Sequence, residues 1–101
     1  MSKKKISFVL PCLNEEKGIG KCLDKINTLI RERYPDAEIV VSDNGSTDRS
    51  ATIAREKGAR VVSVQERGYG AAYLKGIASS TGGYIVMADA DNTYDFLESP
   101  A

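Results

Sequence analysis

Residues 6–30 read ISFVLPCLNEEKGIGKCLDKINTLI, and this stretch decides the fold. It begins with a short apolar run that is typical of a buried strand and that Pro11 is predicted to end. Asn14 is predicted to cap the helix that follows, because Glu15 and Glu16 suit the positive end of a helix. Apolar residues then recur at the helical period, with charged residues between them. The stretch therefore predicts a strand that leads directly into an amphipathic helix.

The remaining sequence repeats this alternation of strand and helix. Three further strands and two further helices are predicted from the apolar patterns, at residues 38–42, 60–64 and 84–88 and at residues 50–57 and 71–79. The second helix is expected to begin at a cap formed by Ser46, Thr47 or Asp48, and Gly58 is expected to end it. Right-handed crossovers and continuously apolar strands then predict an α/β fold. We expect an open, mostly parallel sheet with βαβαβαβ order and helices on both faces.

Composition limits the chain to one ordinary globular core. It has 101 residues, of which 42% are hydrophobic and 28% charged, and its 14 basic and 14 acidic residues balance. The balanced charge gives no electrostatic footprint for nucleic acid, so any anion must be bound locally. Cys12 and Cys22 are too far apart for a CxxC redox or zinc motif, and there is no histidine. The apolar run after the basic residues 2–5 is too short for a signal peptide or a membrane span, and we expect a soluble cytoplasmic chain with reduced thiols.

The loops that follow the four predicted strands are expected to form a ligand site. The carboxyl ends of parallel strands meet at one edge of the sheet, and ligands of open α/β sheets bind in the crevice outside that edge. These loops are also the polar and glycine-rich parts of the chain, at residues 11–15, 43–48, 66–70 and 89–93. The site is therefore predicted to draw on all four loops.

Two carboxylates follow the last predicted strand one residue apart, as Asp89 and Asp91. Both can turn toward the crevice, and a divalent cation would relieve their mutual repulsion, which indicates a metal and a phosphate. A solvated acidic turn is the alternative interpretation of this pair. The stretch at residues 43–48 has a similar alternative, an Asx-turn followed by a helix cap.

Taken together, four blocks of the sequence resemble family 2 glycosyltransferases of the GT-A fold. The blocks are FVLPCLNE at residues 8–15, VVSDNGSTD at residues 40–48, RGYGAA at residues 67–72 and DAD at residues 89–91. The last block looks like the metal-binding acidic motif of the family. Within the family the chain is most similar to the branch of the dolichol-phosphate mannose and glucose synthases. The resemblance implies a Rossmann-like nucleotide-binding half of a GT-A fold.

The resemblance also implies roles for particular residues. It implies that the nucleotide is bound by Pro11, Leu13, Glu15, Asp43, Asp89 and Ala90. Within this set, Asp43 is expected to accept a hydrogen bond from a base N–H. A metal ion, Mg²⁺ or Mn²⁺, is expected to bind to Asp89 and Asp91 and to bridge the diphosphate oxygens. Asn44 and Thr93 depart from the family pattern, which more often has a second acid and a longer polar side chain there.

The function implied by the resemblance is metal-dependent transfer of a hexose from a nucleotide sugar. The donor is expected to be GDP-mannose or UDP-glucose, and the acceptor a polyprenyl phosphate at the cytoplasmic face of a membrane. Residues 1–101 are expected to form the single donor-binding half-domain of a longer glycosyltransferase. The catalytic base and the acceptor residues are expected to lie outside this chain, so the chain alone is expected to be inactive.

Two other functions agree in part with the same residues. A non-catalytic nucleotide-binding or oligomerising module would use the crevice without transfer, and a homodimer would cover the fourth strand. A sugar-nucleotide pyrophosphorylase would need a glycine-rich and basic loop after the first strand, which residues 11–15 do not provide. The module therefore stays open as the alternative to a glycosyltransferase.

Overall fold

The computed structural model describes residues 5–65, 68–81 and 83–88, except for the side chain of Tyr69. Its elements follow the predicted order of alternating strands and helices. The strands are β1 (Ile6–Cys12), β2 (Glu38–Asp43), β3 (Arg60–Ser63) and β4 (Tyr84–Met87). The helices are α1 (Ile19–Arg33), α2 (Ser50–Glu56) and α3 (Tyr69–Ser79). Apart from the start of α1, the predicted boundaries agree with these elements to within about two residues, the usual uncertainty of element ends.

The four strands form one parallel sheet in the order β3-β2-β1-β4. β1 lies in the middle, where Val9 is opposite Val40 of β2 and Met87 of β4. On one face, α1 and α2 share a core with Phe8. Successive residues of a strand face opposite sides of the sheet, and α3 packs on the other side, where its Gly76 approaches Val9. The predicted parallel α/β sheet with helices on both faces is confirmed.

The helical period correctly predicted which residues of α1 face the sheet. The buried residues of the helix are Ile19, Cys22, Leu23, Ile26 and Leu29. They belong to the core that includes the apolar side chains of β1 and β2. Full burial of one large aliphatic side chain contributes about 1.5–3 kcal/mol, so this face is sufficient to hold α1 on the sheet. The helix ends at Tyr34, whose backbone N–H bonds to the carbonyl of Ile30.

Pro11 does not end β1, contrary to the prediction, but lies within the strand opposite Ser42 of β2. The carbonyl of Val9 accepts a hydrogen bond from Ala88, so Val9 faces β4, and Pro11, two residues on, faces the same way. Its missing N–H therefore removes no hydrogen bond from the ladder with β2. The Ala88 carbonyl, next along that side, instead accepts a hydrogen bond from Tyr73 Oη at 3.1 Å.

The prediction that Asn14 caps α1 is wrong. The helix begins at Ile19 after Gly18, and its first turn contains no acidic residue. Asn14 has a left-handed backbone with φ of 52°. Its side-chain oxygen accepts hydrogen bonds from Thr47 and Asp48 instead. A local pattern could not indicate this, because the partners lie 33 and 34 residues away in the sequence.

The ends of α2 lie close to the predicted ones. Its N-cap is Arg49, whose side chain makes no capping hydrogen bond. The backbone N–H of Ser50 instead donates to Asp48 Oδ1 at 2.9 Å, so Asp48 satisfies a free N–H of the first turn from one residue before the N-cap. Gly58 follows the helix with φ of 88°, the left-handed conformation expected after a helix end.

In the part of the chain that the structure describes, no helix has both the length and the apolar character that crossing a membrane requires. Cys12 and Cys22 are buried, and neither forms a disulfide within the described residues. Both belong to the core between the sheet and α1, so they act as packing residues.

Candidate functional site

A crevice of about 870 Å³ opens at the carboxyl end of the sheet. Its walls come from the loops after β1, β2 and β3. The lining residues are Cys12, Leu13, Glu15, Asp43, Asn44, Gly45, Ser63, Val64, Gln65 and Gly68. The predicted convergence of these loops is therefore confirmed for three of them, while the loop at residues 89–93 lies outside the described residues.

The register of the sheet explains why these loops meet. Cys12 at the end of β1 pairs with Asp43 at the end of β2, and Asp43 pairs with Ser63 at the end of β3. The three strands therefore end at the same level, and the chain leaves the sheet there each time. Asp43 lies in the middle of this row, at the edge where open α/β sheets bind ligands.

Asp43 has a buried carboxylate in the crevice wall, with only 9% of the residue exposed. One oxygen, Oδ2, accepts a hydrogen bond from the backbone N–H of Ser46 at 3.2 Å. The other oxygen, Oδ1, is buried and has no hydrogen-bond partner among the described residues. An unpaired buried acceptor costs roughly 1–3 kcal/mol. Asp43 is therefore suited to accept a hydrogen bond from a ligand.

Leu13 and Glu15 line the same crevice from the loop after β1. Leu13 is 46% exposed although it is apolar, so its side chain can contact a flat ring. Glu15 is half-buried, and its backbone N–H donates to Ser50 Oγ at 2.7 Å. Pro11 is buried within β1 and is not a lining residue. The structure thus brings three of the predicted nucleotide contacts together and leaves Pro11 in the sheet.

The predicted metal ligands Asp89 and Asp91 and the predicted nucleotide contact Ala90 lie outside the described residues, and their roles stay predictions. Within residues 5–65, 68–81 and 83–88, no group of three or more His, Cys, Asp or Glu side chains is arranged to hold a metal ion. The described crevice therefore contains three of the residues predicted to contact the nucleotide, and the predicted metal site depends on the two aspartates of the sequence.

Hydrogen bonds join the loop after β1 to the loop after β2. Asn14 Oδ1 accepts from the backbone N–H groups of Thr47 at 2.8 Å and Asp48 at 3.4 Å. In the opposite direction, the backbone N–H of Asn14 donates to Ser46 Oγ at 2.9 Å. Hydrogen bonds from Ser50 lower the pKa of Asp48, so this carboxylate is a charged acceptor at neutral pH. No local pattern in the sequence indicates this connection, because its partners are more than 30 residues apart.

Asn44 joins the loop after β2 to the chain segments that follow β1 and β3. Its backbone N–H donates to the Cys12 carbonyl at 2.8 Å. Its side-chain Nδ2 donates to the Val64 carbonyl at 3.1 Å, and its Oδ1 accepts from the backbone N–H of Gly68 at 3.1 Å. One residue therefore contacts the end of β1, the chain after β3 and the start of α3. The only signal in the sequence was an amide at a place where the family more often has an acid.

Cys12 lines the crevice but is not suited to act as a nucleophile. It is 1% exposed. Burial raises the pKa of its thiol, although hydrogen bonds from Ser50 and Ser46 act in the opposite direction. A thiol with a raised pKa is protonated at neutral pH and reacts slowly. Cys12 therefore contributes to the crevice wall as a packing residue.

Known proteins resemble this chain in sequence. The model of glycosyl transferase family 2 matches residues 7–98. The low-salt glycan biosynthesis hexosyltransferase Agl6 of Haloferax volcanii is 45% identical over 95 residues, which are 94% of this chain and 23% of that protein. The dolichyl-phosphate hexose transferase of the same organism is 37% identical over 89 residues, which are 88% of this chain and 37% of that protein. The chain thus spans less than half the length of either relative.

Solved structures resemble it in fold. Glucosyl-3-phosphoglycerate synthase from Mycobacterium tuberculosis, in complex with Mn²⁺, UDP and glucosyl-3-phosphoglycerate, has a TM-score of 0.76 and 37% identity over 86% of this chain and 33% of that one. A second crystal structure of that enzyme contains Mg²⁺ and UDP. These neighbours are glycosyltransferases with the GT-A fold, so the predicted fold is confirmed. Because the family match covers most of its residues, the chain belongs to glycosyl transferase family 2.

Proposed function

We propose that this chain binds the nucleotide-sugar donor of a metal-dependent hexosyltransferase in the crevice at the ends of β1, β2 and β3. The observation that carries the proposal is the buried Asp43 Oδ1, which lacks a partner among the described residues in a crevice wall. An N–H group of a nucleotide base can donate a hydrogen bond to such an oxygen. The crevice, at about 870 Å³, also has the size of sites that hold small molecules.

The loop after β1 would hold the remainder of the nucleoside. The exposed side chain of Leu13 would pack against the base, and the carboxylate of Glu15 would accept a hydrogen bond from a ribose hydroxyl. Both residues line the crevice together with Asp43. Pro11 would act from within β1 by fixing the strand from which this loop leaves.

A uridine diphosphate sugar suits this site better than a guanosine diphosphate sugar. Asp43 already accepts a hydrogen bond from Ser46 with one oxygen, which leaves the other for the ligand. Uracil offers a single N–H between two carbonyls, whereas guanine offers two neighbouring donors that match a carboxylate with both oxygens available. The UDP complexes of the related synthase support this choice.

Asp89 and Asp91 are the residues that would hold Mg²⁺ or Mn²⁺, with Ala90 against the nucleotide. Carboxylate oxygens are the ligands that such hard cations prefer. When bound, the ion would neutralise the negative charge that grows on the leaving diphosphate. The Mn²⁺ and Mg²⁺ complexes of the related synthase support a divalent cation in this family.

The acceptor that we propose for the whole protein is a polyprenyl phosphate at the cytoplasmic face of a membrane. The dolichyl-phosphate hexose transferase among the relatives supports this class of acceptor. A phosphate oxygen would attack the anomeric carbon as the bond to the diphosphate breaks. An ionised phosphate carries no proton that a general base must remove. Because the chain spans 37% of that relative, we expect donor binding without turnover from these 101 residues alone.

Calorimetric titration with UDP and with GDP, each with and without Mn²⁺, tests the donor site. We expect UDP to bind more tightly than GDP, and Mn²⁺ to strengthen the binding of both. Asp43→Asn keeps the size of the side chain but removes a carboxylate oxygen, so UDP should bind about tenfold more weakly, which corresponds to about 1.4 kcal/mol. Asp91→Ala should abolish only the part of the affinity that depends on Mn²⁺.

Asp36→Asn is the matched control. Asp36 is exposed in the turn before β2, at the amino end of the sheet and away from the crevice. The control should bind UDP as tightly as the parent chain does. Equal UDP affinities of the parent and Asp43→Asn, or a parent that binds neither nucleotide, would rule out the proposed site.

A second candidate function is a nucleotide-binding module that assembles with another copy through β4. One observation favours it, since Tyr84, Ile85 and Met87 are 37–55% exposed on a strand that is at the edge of the described sheet. An exposed apolar edge strand can pair with another chain. Light scattering after gel filtration, together with the UDP titrations, separates the two functions. A stable dimer that binds UDP equally well with and without Mn²⁺ would favour the module.

A further inference from the structure

We propose that Asn44 is a positioning residue, whose side-chain amide holds the start of α3 against the end of β3 and so sets the shape of the crevice. The inference rests on the proposed function, because it concerns how the same crevice is shaped for the nucleotide.

The geometry around Asn44 connects three parts of the sheet edge. Its backbone is fixed by the hydrogen bond from its N–H to the Cys12 carbonyl at 2.8 Å. From there the side chain reaches the Val64 carbonyl through Nδ2 and the Gly68 N–H through Oδ1, both at 3.1 Å. All four residues line the crevice. A movement of Asn44 would therefore change the distance between its walls.

Both halves of the amide are used, each for a different kind of partner. A carbonyl needs a donor and an N–H needs an acceptor, so the orientation of the amide is determined by Val64 and Gly68 themselves. A carboxylate at neutral pH has no N–H or O–H to donate. An aspartate at this position would keep the hydrogen bond from Gly68 but would set a negative oxygen against the Val64 carbonyl.

The hydrogen bond from the Gly68 N–H to Asn44 fixes the residue that precedes α3. The Gly68 φ of 109° is in the region that residues with a side chain rarely adopt. Its carbonyl accepts the hydrogen bond from Ala72 at 3.1 Å in the first turn of α3. Without the bond from Asn44, glycine would have other conformations available, and the first turn of α3 would lose its fixed place at the crevice wall.

Asn14 offers a matched comparison, because it uses only half of its amide. Its Oδ1 accepts hydrogen bonds from Thr47 and Asp48, while its Nδ2 has no partner among the residues that the structure describes. It does not line the crevice. A carboxylate can replace an acceptor of this kind. The same substitution, amide to carboxylate, is therefore expected to have different effects at the two asparagines.

The test is the UDP affinity of Asn44→Asp and Asn14→Asp, measured by calorimetry with far-UV circular dichroism as a check that each variant folds. Each variant adds one negative charge, at the crevice wall in Asn44→Asp and outside it in Asn14→Asp. Asn44→Ala removes the amide without adding charge, so it should also bind UDP more weakly, which separates loss of the amide from repulsion of the diphosphate. We expect UDP to bind about tenfold more weakly to Asn44→Asp and within about twofold of the parent to Asn14→Asp. Equal losses in the two variants, or no loss in Asn44→Asp, would overturn the assignment.

Amide hydrogen exchange, measured by NMR without nucleotide, tests the same inference independently of binding. In Asn44→Ala the Gly68 N–H loses its acceptor and should exchange at least about tenfold faster, whereas in Asn44→Asp it should keep most of its protection. Unchanged exchange at Gly68 in Asn44→Ala would refute the inference. A parent chain that binds no UDP but shows the expected exchange would refute the proposed function and support the positioning role.

Discussion

Substitution of Glu38 by glutamine is expected to change how the stability of the fold depends on pH. Glu38 is the first residue of β2 and lies at the amino end of the sheet, opposite the crevice. Its Oε2 accepts hydrogen bonds from Ser7 Oγ and from the backbone N–H of Thr81, both at 2.6 Å, and its Oε1 accepts from Arg60 at 2.9 Å. The carboxylate therefore links β1, β2 and β3 to the segment between α3 and β4.

The size of the effect follows from the pKa of Glu38. Burial alone would raise the pKa of this carboxyl group. Hydrogen bonds from Ser7, Thr81 and Arg60 outweigh burial and lower the pKa from 4.5 to about 2. At 1.36 kcal/mol per pKa unit, this difference corresponds to about 3 kcal/mol of stability. The Glu38 side chain is 16% exposed but that of its partner Arg60 is 46% exposed, so screening by solvent makes about 3 kcal/mol an upper limit.

The sign of the effect is set by which state binds the proton first. As the pH falls, the unfolded chain takes up a proton on Glu38 near pH 4.5, while the folded chain does so only near pH 2. The contribution is therefore complete above about pH 5 and is lost as the pH falls to 2. The parent chain should exceed Glu38→Gln in stability at pH 6 and lose up to about 3 kcal/mol of that advantage by pH 2.

Urea unfolding followed by circular dichroism from pH 7 to pH 2 measures this difference. Glu32→Gln is the control, since Glu32 is exposed on α1 and its loss removes the same charge without touching the network. A difference between the parent and Glu38→Gln that stays constant over the whole pH range would show that the carboxylate is not held as described. If Glu32→Gln changed the pH dependence of stability as much as Glu38→Gln does, this would also show that the Glu38 carboxylate is not held as described.

Two further substitutions test the packing of α3 on the sheet. Gly76→Ala would place a methyl group against the Val9 side chain and 2.6 Å from Ser42 Oγ. We therefore expect the free energy of unfolding, measured with urea, to fall by about 1–3 kcal/mol. A decrease below about 0.5 kcal/mol would contradict this close approach. Ser42→Ala removes a buried hydroxyl that has no hydrogen-bond partner among the described residues, so stability should stay equal or rise by up to about 1 kcal/mol, and a clear loss would mean that the hydroxyl is bonded.

The sequence predicted those features of the fold that depend on periodicity. The apolar positions of α1 specify its buried face, and Ile19, Cys22 and Ile26 are all fully buried as the period predicts. The site could be located for a similar reason, because parallel strands send their following loops to one edge whatever the loops contain. Asp43, the last residue of β2, lies in the crevice wall for this reason, and its contact with a nucleotide stays a prediction.

The features that could not be predicted depend on contacts between distant parts of the chain. Pro11 is tolerated in β1 because its nitrogen faces β4 rather than β2, and strand order cannot be obtained from local sequence. Asn14 has the composition of a helix cap, but its amide finds better partners in Thr47 and Asp48. Side-chain hydrogen bonds of this kind compete with local capping, and only the fold decides which of them forms.

The two carboxylates at the ends of β2 show why position in the sheet, and not residue type, separates a binding group from a structural one. Glu38 at the amino end accepts hydrogen bonds from Ser7, Thr81 and Arg60, and its oxygens have no need of a ligand. Asp43 at the carboxyl end of the same strand accepts one from Ser46 and keeps Oδ1 unpaired within the described residues. Three of the four described residues with positive φ, Asn14, Gly45 and Gly68, also lie in the loops at this edge of the sheet. An unpaired buried acceptor lowers stability until a ligand donates a hydrogen bond to it. A ligand that donates a hydrogen bond to Asp43 should therefore stabilise the chain against unfolding, whereas nothing that binds at the Glu38 end has such an acceptor to complete.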